Sequence, residues 1–271
     1  MSITFSFLLD LIAVQLFRKQ VRGASRFHWM FCAGRRLPVK TKHGLTMFLD
    51  PYEYVDGYIL RKGYYEEEVL LSILENLAEG GVFWDIGANL GIHTLTVAKL
   101  RSDVRVFAFE PQAPLSLLIE ESARRNRITV KVLTIALSDR SGVGVLFVHP
   151  GNLGMSSLHN WSEDIDALRV ETRVTTGDIL LEDMTVAPPD VIKIDVEGHE
   201  IEVLRGMAKF LESTVKCCIV FEDSGDTSST KKLLSDYGFV IESLPRIDLG
   251  QQHNLENFIA KRCVQAAGVE A

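Results

Sequence analysis

The sequence predicts an α/β fold, with a doubly wound, seven-stranded, mostly parallel sheet that follows an N-terminal helical extension. One observation is that short apolar runs alternate with segments of helical length from residue 82 onward. Such alternation is typical of a parallel sheet covered by helices on both faces. A second observation is that the apolar run at residues 82–86 leads into a glycine-rich turn and then a helix. Doubly wound folds use such turns to bring the backbone close to a ligand.

Size and composition limit the class of protein. The chain has 271 residues, of which 46% are hydrophobic, so it can bury the core of one domain plus an extension. We divide it into an extension at residues 1–39, a domain at 40–262 and a tail at 263–271. The net charge of -7 argues against a general nucleic-acid binder. The four cysteines show neither disulfide nor metal-ligand spacing, which favours a reducing, cytoplasmic compartment.

The N-terminal extension is apolar and basic. Residues 1–42 carry eight basic residues against one acidic residue, whereas the remainder carries 21 basic and 35 acidic residues. The apolar stretch at 3–17 is short for a membrane span, and its basic cluster follows it, unlike that of a signal peptide. Three interpretations stay open: a helix packed on its own domain or on a second subunit, a peripheral anchor on the inner face of a membrane through residues 1–26, or a cleaved signal.

The remaining elements follow in chain order. Residues 40–60 predict short strands or turns, and residues 64–78 predict an amphipathic helix that Gly80 and Gly81 end. The predicted strands of the sheet are 82–86, 104–109, 129–136, 190–195, 217–222, 239–244 and 257–261, of which the last folds back antiparallel. The predicted helices are 91–100, 113–125, 176–183, 199–206 and 228–237. The segment 142–175 predicts an added hairpin, with a loop at 151–157, that shapes a substrate pocket.

The glycine-rich turn distinguishes between cofactors. Its pattern is Asp85-x-Gly87-x-Asn89-x-Gly91, and an acid at the first position would repel a pyrophosphate but suits the ammonium of a methionine group. Glu110, 25 residues beyond Asp85, ends the next strand, where a carboxylate can accept both hydroxyls of a ribose. This combination favours S-adenosyl-L-methionine (AdoMet) as the cofactor, over a nicotinamide or flavin dinucleotide and over a structural turn without a ligand.

A second group of polar residues follows the strand at 190–195. Asp195 should face the same crevice as the glycine turn, because ligands lie beyond the carboxyl ends of parallel strands. Asp195 or Glu197 could accept the proton of a substrate hydroxyl or orient the methionine end of the cofactor, and His199 is a candidate base. The alternative is a helix start with solvated acids.

Three further residues are weaker candidates. Glu222 ends the next strand and could lie on the substrate side, while Lys193 and His93 could face either the crevice or the protein interior. Asp195, Glu197, His199 and Glu222 together could hold Mg²⁺ or Mn²⁺, but their spacing does not demand an ion, and we predict no metal.

The chain resembles the FkbM-type family of AdoMet-dependent O-methyltransferases over about residues 40–262. The matching residues are Gly63-Tyr64-Tyr65-Glu66, Asp85-Ile86-Gly87-Ala88-Asn89-Leu90-Gly91, Phe109-Glu110-Pro111, Asn126, Ala136-Leu137-Ser138-Asp139 and Lys193-Ile194-Asp195-Val196-Glu197-Gly198-His199-Glu200. The resemblance implies a seven-stranded AdoMet-binding fold.

The resemblance also implies an activity and a set of site residues. The activity is methylation of a hydroxyl on a sugar, glycan, lipid-linked or polyketide-like acceptor. By position, Asp85, Gly87, Asn89 and Gly91 would line the methionine end of AdoMet, Glu110 its ribose and Ala136 its adenine, with Asp195 and Glu197 at the methyl-transfer side. A dinucleotide-dependent oxidoreductase and a non-catalytic AdoMet-binding or membrane-docking scaffold remain the alternatives.

Overall fold

The computed structural model describes residues 3–149, 153–159, 167–222, 227–247 and 256–262. The helices are α1 (Ile3–Arg18), α2 (Ala24–Phe31), α3 (Tyr54–Lys62), α4 (Glu67–Asn76), α5 (Ile92–Leu100), α6 (Ala113–Asn126), α7 (Gly177–Glu182), α8 (Glu200–Arg205), α9 (Ala208–Ser213) and α10 (Thr227–Asp236), with a short 3-10 turn at Leu153–Met155. The strands are β1 (Leu37–Lys40), β2 (Thr46–Leu49), β3 (Val82–Ile86), β4 (Arg105–Phe109), β5 (Lys131–Leu133), β6 (Ala136–Leu137), β7 (Gly142–Val148), β8 (Leu168–Thr175), β9 (Val191–Ile194), β10 (Cys217–Glu222), β11 (Val240–Leu244) and β12 (Asn257–Arg262).

Seven of these strands form one sheet in the order β11-β12-β10-β9-β3-β4-β5. The neighbours from β10 to β5 pair in parallel. The last strand, β12, runs antiparallel to both β10 and β11. The predicted fold class is therefore confirmed, including the strand that folds back.

The central strand β3 explains why the sheet is covered on both faces. All five of its residues are buried, as expected for a strand in the middle of a parallel sheet. Trp84 packs into a core that helices α8, α9 and α10 complete, whereas Phe83 packs on the opposite side with residues of α4 and α5. Because successive side chains of a strand point to opposite faces, one apolar run serves two cores.

Two predicted elements have different bounds or a different type. Residues 40–60, predicted as short strands or turns, contain strand β2 but end in helix α3, which runs to Lys62. The hairpin partner of β2 is β1, which begins earlier, at Leu37. The helix predicted at 64–78 begins only at Glu67. Gly63 and Glu66 both have positive φ, at 85° and 45°, so the chain leaves the helical conformation between α3 and α4. The predicted hairpin is present as antiparallel β7 and β8.

The strand predicted at 129–136 is split between two sheets. Its first part, β5, belongs to the main sheet, while β6 pairs with β8 in a separate three-stranded sheet. Ile135 and Leu137 nevertheless enter the same core as Trp84. The run stays apolar through the change of sheet, and hydrophobic pattern alone could not reveal the break. Residues 150–152 of the hairpin loop and the predicted tail at 263–271 lie outside the described residues.

The N-terminal extension packs on the domain. Leu9, Ala13 and Val14 of α1 are buried in one cluster with residues of β1, β2, α3, α5 and α6. Arg18 of α1 donates from Nε to the carbonyl oxygen of Leu60 at 3.1 Å. This packing corresponds to the first of the three interpretations. Across the described part of the chain, every helix is too short or too polar to cross a membrane.

Candidate cofactor and acceptor site

The glycine turn after β3 contacts the turn after β9. At Gly87, where φ is 76°, a Cβ atom would lie 1.8 Å from the carbonyl oxygen of Asp195, so only glycine fits. The amide groups of Gly87 and Ala88 donate to the carbonyl oxygen of Phe109 at 3.0 and 3.1 Å. The ends of β3, β4 and β9 are thereby joined at one edge of the sheet.

Glu110 is fixed in the orientation that a ribose acceptor needs. Its Oε2 accepts the amide of Asn89 at 2.8 Å, and its Oε1 accepts the amide of Gln112 at 2.8 Å. Each carboxylate oxygen has two acceptor positions, so both can accept a further hydroxyl. Burial raises the pKa of Glu110 to about 7, although the two backbone donors oppose this shift. Glu110 therefore offers a buried, preoriented pair of acceptors.

A cleft opens beside Glu110 at the carboxyl edge of the sheet, where small-molecule sites of doubly wound folds occur. We call it the cofactor cleft. Its lining residues are Ile86, Gly87, Asn89, Phe109, Glu110, Pro111, Gln112, Ile135, Ala136, Leu137, Leu146, Gly154, Ser156, Ser157, Leu158, Asp195, Val196 and His199. The structure thus brings four of the six predicted cofactor residues to one cleft.

The other two, Asp85 and Gly91, lie behind its wall. Asp85 is 1% exposed, and its Oδ2 accepts the amide of Thr94 in α5 at 3.0 Å. At Gly91, where φ is 74°, a Cβ atom would lie 2.9 Å from the Ile119 side chain. In this structure both residues position the turn and its helix and do not line the cleft.

A second pocket of about 450 Å³ adjoins the cofactor cleft. We call it the acidic pocket. It is lined by Tyr54, Val55, Tyr65, Glu66, Asn89, Gly154, Met155, Asp195, Glu197 and Glu222. Asn89, Gly154 and Asp195 line both spaces, so the two pockets meet at these three residues.

A buried lysine balances part of this negative charge. Lys193 Nζ lies 2.9 Å from Asp195 Oδ2 and 3.7 Å from Asp85 Oδ1. Burial disfavours the charged form of Lys193, but the carboxylates of Asp195, Asp85 and Glu66 outweigh it and raise the pKa of the lysine. Lys193 therefore stays a cation within the site.

The pKa values of the other three acids of the pocket are raised. Burial, followed by the charge of Asp195, raises the pKa of Glu66 to about 7, of Glu197 to about 8 and of Glu222 to about 10. Glu197 and Glu222 are then largely protonated at neutral pH, and each can donate a hydrogen bond to an acceptor oxygen.

His199 lies apart from these carboxyl groups. Its Nε2 is 2.9 Å from the hydroxyl of Ser138, and its Nδ1 is 3.5 Å from Glu202 Oε2. Burial lowers its pKa, against the opposing charge of Glu202. His199 lines the cofactor cleft beside Ala136 but is not among the residues of the acidic pocket. Of the three predicted catalytic residues, the acidic pocket unites Asp195 and Glu197.

Among the residues that the structure describes, two groups of side chains have the spacing of metal ligands. Oxygens of Asp195, Glu197 and Glu222 lie within 4.8 Å of one another, as do ligand atoms of His159, His199 and Glu202. The four residues that the sequence suggested as a metal set are therefore divided between two groups. The carboxylate group suits Mg²⁺ or Mn²⁺ by its chemistry.

Glu66 and Tyr65 are site residues that the sequence did not predict. Glu66 falls within the helix predicted at 64–78, but its left-handed backbone, with φ of 45°, precedes α4. Its Oε1 accepts a long hydrogen bond from Asn257 of β12 at 3.5 Å. The available signal was the Gly63-Tyr64-Tyr65-Glu66 motif, which carried the family resemblance without an assigned role.

His93 is buried, and burial with the charge of Lys193 lowers its pKa to about 4.

This fold and site define an AdoMet-dependent methyltransferase: a seven-stranded sheet with an antiparallel last strand, a glycine turn after β3 and a buried acid after β4. The model of the FkbM methyltransferase domain matches residues 85–251. The chain belongs to this family, and the family and the fold together imply that AdoMet is the methyl donor.

Individual relatives agree with this assignment. Hexuronic acid methyltransferase AglP from Haloferax volcanii is 33% identical over 171 residues, covering 63% of this chain and 68% of the relative. 31-O-demethyl-FK506 methyltransferase FkbM from Streptomyces tacrolimicus is 26% identical over 194 residues, covering 61% of this chain and 75% of the relative. Among solved structures, precorrin-6y C5,15-methyltransferase from Geobacter metallireducens matches 72% of this chain and 86% of that chain, with 18% identity and a TM-score of 0.45.

Proposed function

We propose that this protein transfers a methyl group from AdoMet to a hydroxyl of a sugar, glycan, lipid-linked or polyketide-like acceptor. The observation that carries the proposal is that the cofactor cleft and the acidic pocket meet at Asn89, Gly154 and Asp195. A methyl donor in one space and an acceptor in the other would face each other there. Two relatives named for a hexuronic acid and for a demethylated natural product support this acceptor class.

The lining of the cofactor cleft fits AdoMet in three parts. Glu110 would accept the ribose hydroxyls, and Ala136 would lie beside the adenine with its apolar neighbours Ile135 and Leu137. Gly87 and Asn89 would border the methionine end, with Asp85 and Gly91 acting from behind by holding the turn. When bound, AdoMet supplies an electrophilic methyl group on a positively charged sulfur.

The proton of the acceptor hydroxyl goes to Asp195 in this proposal. Asp195 lies at the junction of the two spaces, and Lys193 pairs with it at 2.9 Å. As the oxygen–methyl bond forms and the sulfur–methyl bond breaks, Asp195 takes the hydroxyl proton and later releases it to solvent. Glu197, with a raised pKa of about 8, orients the acceptor as a hydrogen-bond donor. His199 would act at the adenine side and not as the base.

The polar side chains of the acidic pocket suit an acceptor that is rich in hydroxyl groups. Its acids accept hydrogen bonds from hydroxyls when ionised and donate to them when protonated. Glu197 and Glu222, whose raised pKa values of about 8 and about 10 keep them largely protonated at neutral pH, are the donors of this pocket. We therefore expect a small-molecule or glycan acceptor that presents hydroxyl groups to this pocket.

Transfer of labelled methyl groups from AdoMet to a panel of neutral and anionic glycans tests the proposal. Asp195→Asn should lower turnover by about 10²–10⁴-fold, as expected for loss of a proton acceptor, while AdoMet still binds. Asp236→Asn, on the exposed end of α10, is the matched control and should leave turnover unchanged. Near-normal turnover of Asp195→Asn would remove this residue from the mechanism. Thermal stabilisation by NAD but not by AdoMet would favour an oxidoreductase instead.

A further inference from the structure

The two N-terminal helices present an apolar surface that the fold does not cover. Its members are large side chains that are all more than a third exposed, and we call it the N-terminal apolar face. They are Phe7, Leu8, Leu11 and Ile12 of α1 with Trp29, Met30 and Phe31 of α2. Trp29 is 74% exposed and Met30 is 65% exposed. The buried side of α1 packs on the domain through other residues, so the side chains of the N-terminal apolar face do not contribute to the core.

A partly exposed ion pair connects the two helices. The Nη2 atom of Arg35 lies 2.7 Å from Asp10 Oδ1 and donates to the carbonyl oxygen of Phe31 at 3.1 Å. One guanidinium nitrogen thus joins the first half of α1 to the end of α2. Leu11 follows Asp10 directly in α1, and Met30 precedes Phe31 in α2. The two helices that carry the exposed apolar side chains are therefore packed against each other.

Positive charge borders this face. Lys19, Arg22 and Arg26 are exposed, and Arg26 precedes Trp29 by three residues and Met30 by four, a spacing that places side chains on one side of a helix. Asp10 is the single acid among residues 1–42, and Arg35 neutralises it. The rest of the chain carries 35 acidic against 21 basic residues, so an anionic surface would attract the extension and repel the remainder.

We propose that the N-terminal apolar face docks on a lipid bilayer that contains anionic lipid. The apolar side chains enter the boundary between headgroups and acyl chains, and Lys19, Arg22 and Arg26 contact lipid phosphates. Trp29 suits this depth because tryptophan is enriched at membrane interfaces. Apolar insertion and positive charge are both needed, because either one alone gives only marginal membrane binding. The docking needs neither AdoMet nor methyl transfer.

Vesicle co-sedimentation of the full chain tests this proposal. The protein should bind phosphatidylcholine vesicles that contain phosphatidylglycerol and bind vesicles of phosphatidylcholine alone more weakly. The pair Trp29→Ser with Met30→Ser should weaken binding at least about tenfold, because binding scales with the apolar area inserted. Met184→Ser is the matched control, since Met184 is 87% exposed but lies far along the chain, after α7. It should bind like the unmodified protein.

The contribution of the basic residues to vesicle binding is measured separately. Each of Lys19→Gln, Arg22→Gln and Arg26→Gln should weaken binding about fivefold. Binding should also fall at about 1 M salt, where charges are screened beyond roughly 3 Å. All variants change exposed side chains, and unchanged thermal midpoints would show that they fold.

Two outcomes would overturn the proposal. Either the unmodified protein fails to bind the anionic vesicles, or the variants bind them as well as Met184→Ser does. If the protein instead forms a dimer without lipid, and Trp29→Ser with Met30→Ser dissociates it, the face belongs to a second copy of this chain. Sedimentation velocity distinguishes that result from membrane docking.

Discussion

The ammonium group of Lys193 lies 2.9 Å from the carboxylate of Asp195, two residues further along the chain. Lys193 is buried near the end of β9, whereas Asp195 lies on the turn that follows and lines both pockets. The strand thus carries its cation up to the edge of the sheet, where it also approaches Asp85 of the neighbouring strand β3. Lys193 therefore lies between Asp85, which holds the glycine turn in place, and Asp195, the candidate proton acceptor.

Removing this lysine should destabilise the fold strongly. Lys193→Met would leave two carboxylates without their buried cation, and breaking a buried ion pair on one side costs about 3–5 kcal/mol. The free energy of unfolding in urea measures this. Lys209→Met, which removes an exposed lysine paired with Glu182, should cost much less, because exposed ion pairs contribute little to stability. Equal losses for the two variants would show that Lys193 has no special electrostatic role.

The close contact between the two turns predicts a steric effect at Gly87. Gly87→Ala would place a Cβ atom 1.8 Å from a backbone oxygen, in addition to the penalty for positive φ. Gly80→Ala is the matched control, because φ there is 67° and a Cβ atom would meet nothing within 4 Å. We expect Gly80→Ala to cost about 1–2 kcal/mol and Gly87→Ala to cost more and to abolish AdoMet binding. Comparable unfolding free energies would contradict the packing of these turns.

The ribose assignment predicts a loss of cofactor affinity at Glu110. Glu110→Ala removes a charged acceptor, so binding of S-adenosyl-L-homocysteine should weaken by about 1.5–3 kcal/mol. Isothermal calorimetry measures this change directly. Glu120→Ala, an exposed acid on α6, should leave the affinity unaltered. An unchanged affinity in Glu110→Ala would refute the assignment.

The raised pKa values of the acidic pocket predict that stability falls as pH rises. Between pH 7 and 9 the unfolded chain holds Glu197 and Glu222 ionised, while burial and the charge of Asp195 raise their folded pKa to about 8 and about 10. The folded state then binds more protons, so the free energy of unfolding decreases with pH. His93 acts in the opposite direction, but its pKa, lowered from 6.5 to about 4 by burial, confines that contribution to lower pH.

Urea unfolding at several pH values checks this prediction. Glu222→Gln should flatten the decline between pH 7 and 9, because the amide cannot ionise. Glu242→Gln, at an exposed position of β11, should leave the slope as it is. A slope in Glu222→Gln equal to that of the unmodified protein would exclude Glu222 as its source.

Sequence pattern located the features that local chemistry determines. The glycine turn, Glu110 at the end of β4 and Asp195 at the end of β9 were predicted because strand ends of a parallel sheet share one edge. The contribution of Glu66 depends on a left-handed backbone before α4 and on proximity to β12, neither of which periodicity encodes. The change of sheet between β5 and β6 stayed hidden because both parts are apolar.

The roles of individual polar residues were harder to predict than their positions. Asp85 was expected to contact the cofactor, but its partners are Thr94 and Lys193. His199 was predicted as a candidate base, and its two ring nitrogens lie against Ser138 and Glu202. In both cases the sequence placed the residue at the correct edge of the sheet. The direction of the side chain was then decided by packing against other elements.

A crystal structure with S-adenosyl-L-homocysteine bound tests the central claim most directly. We expect both ribose hydroxyls within hydrogen-bonding distance of the Glu110 carboxylate and the sulfur at the junction formed by Asn89, Gly154 and Asp195. A nucleoside bound elsewhere, or one with its sulfur turned away from Asp195, would contradict this account.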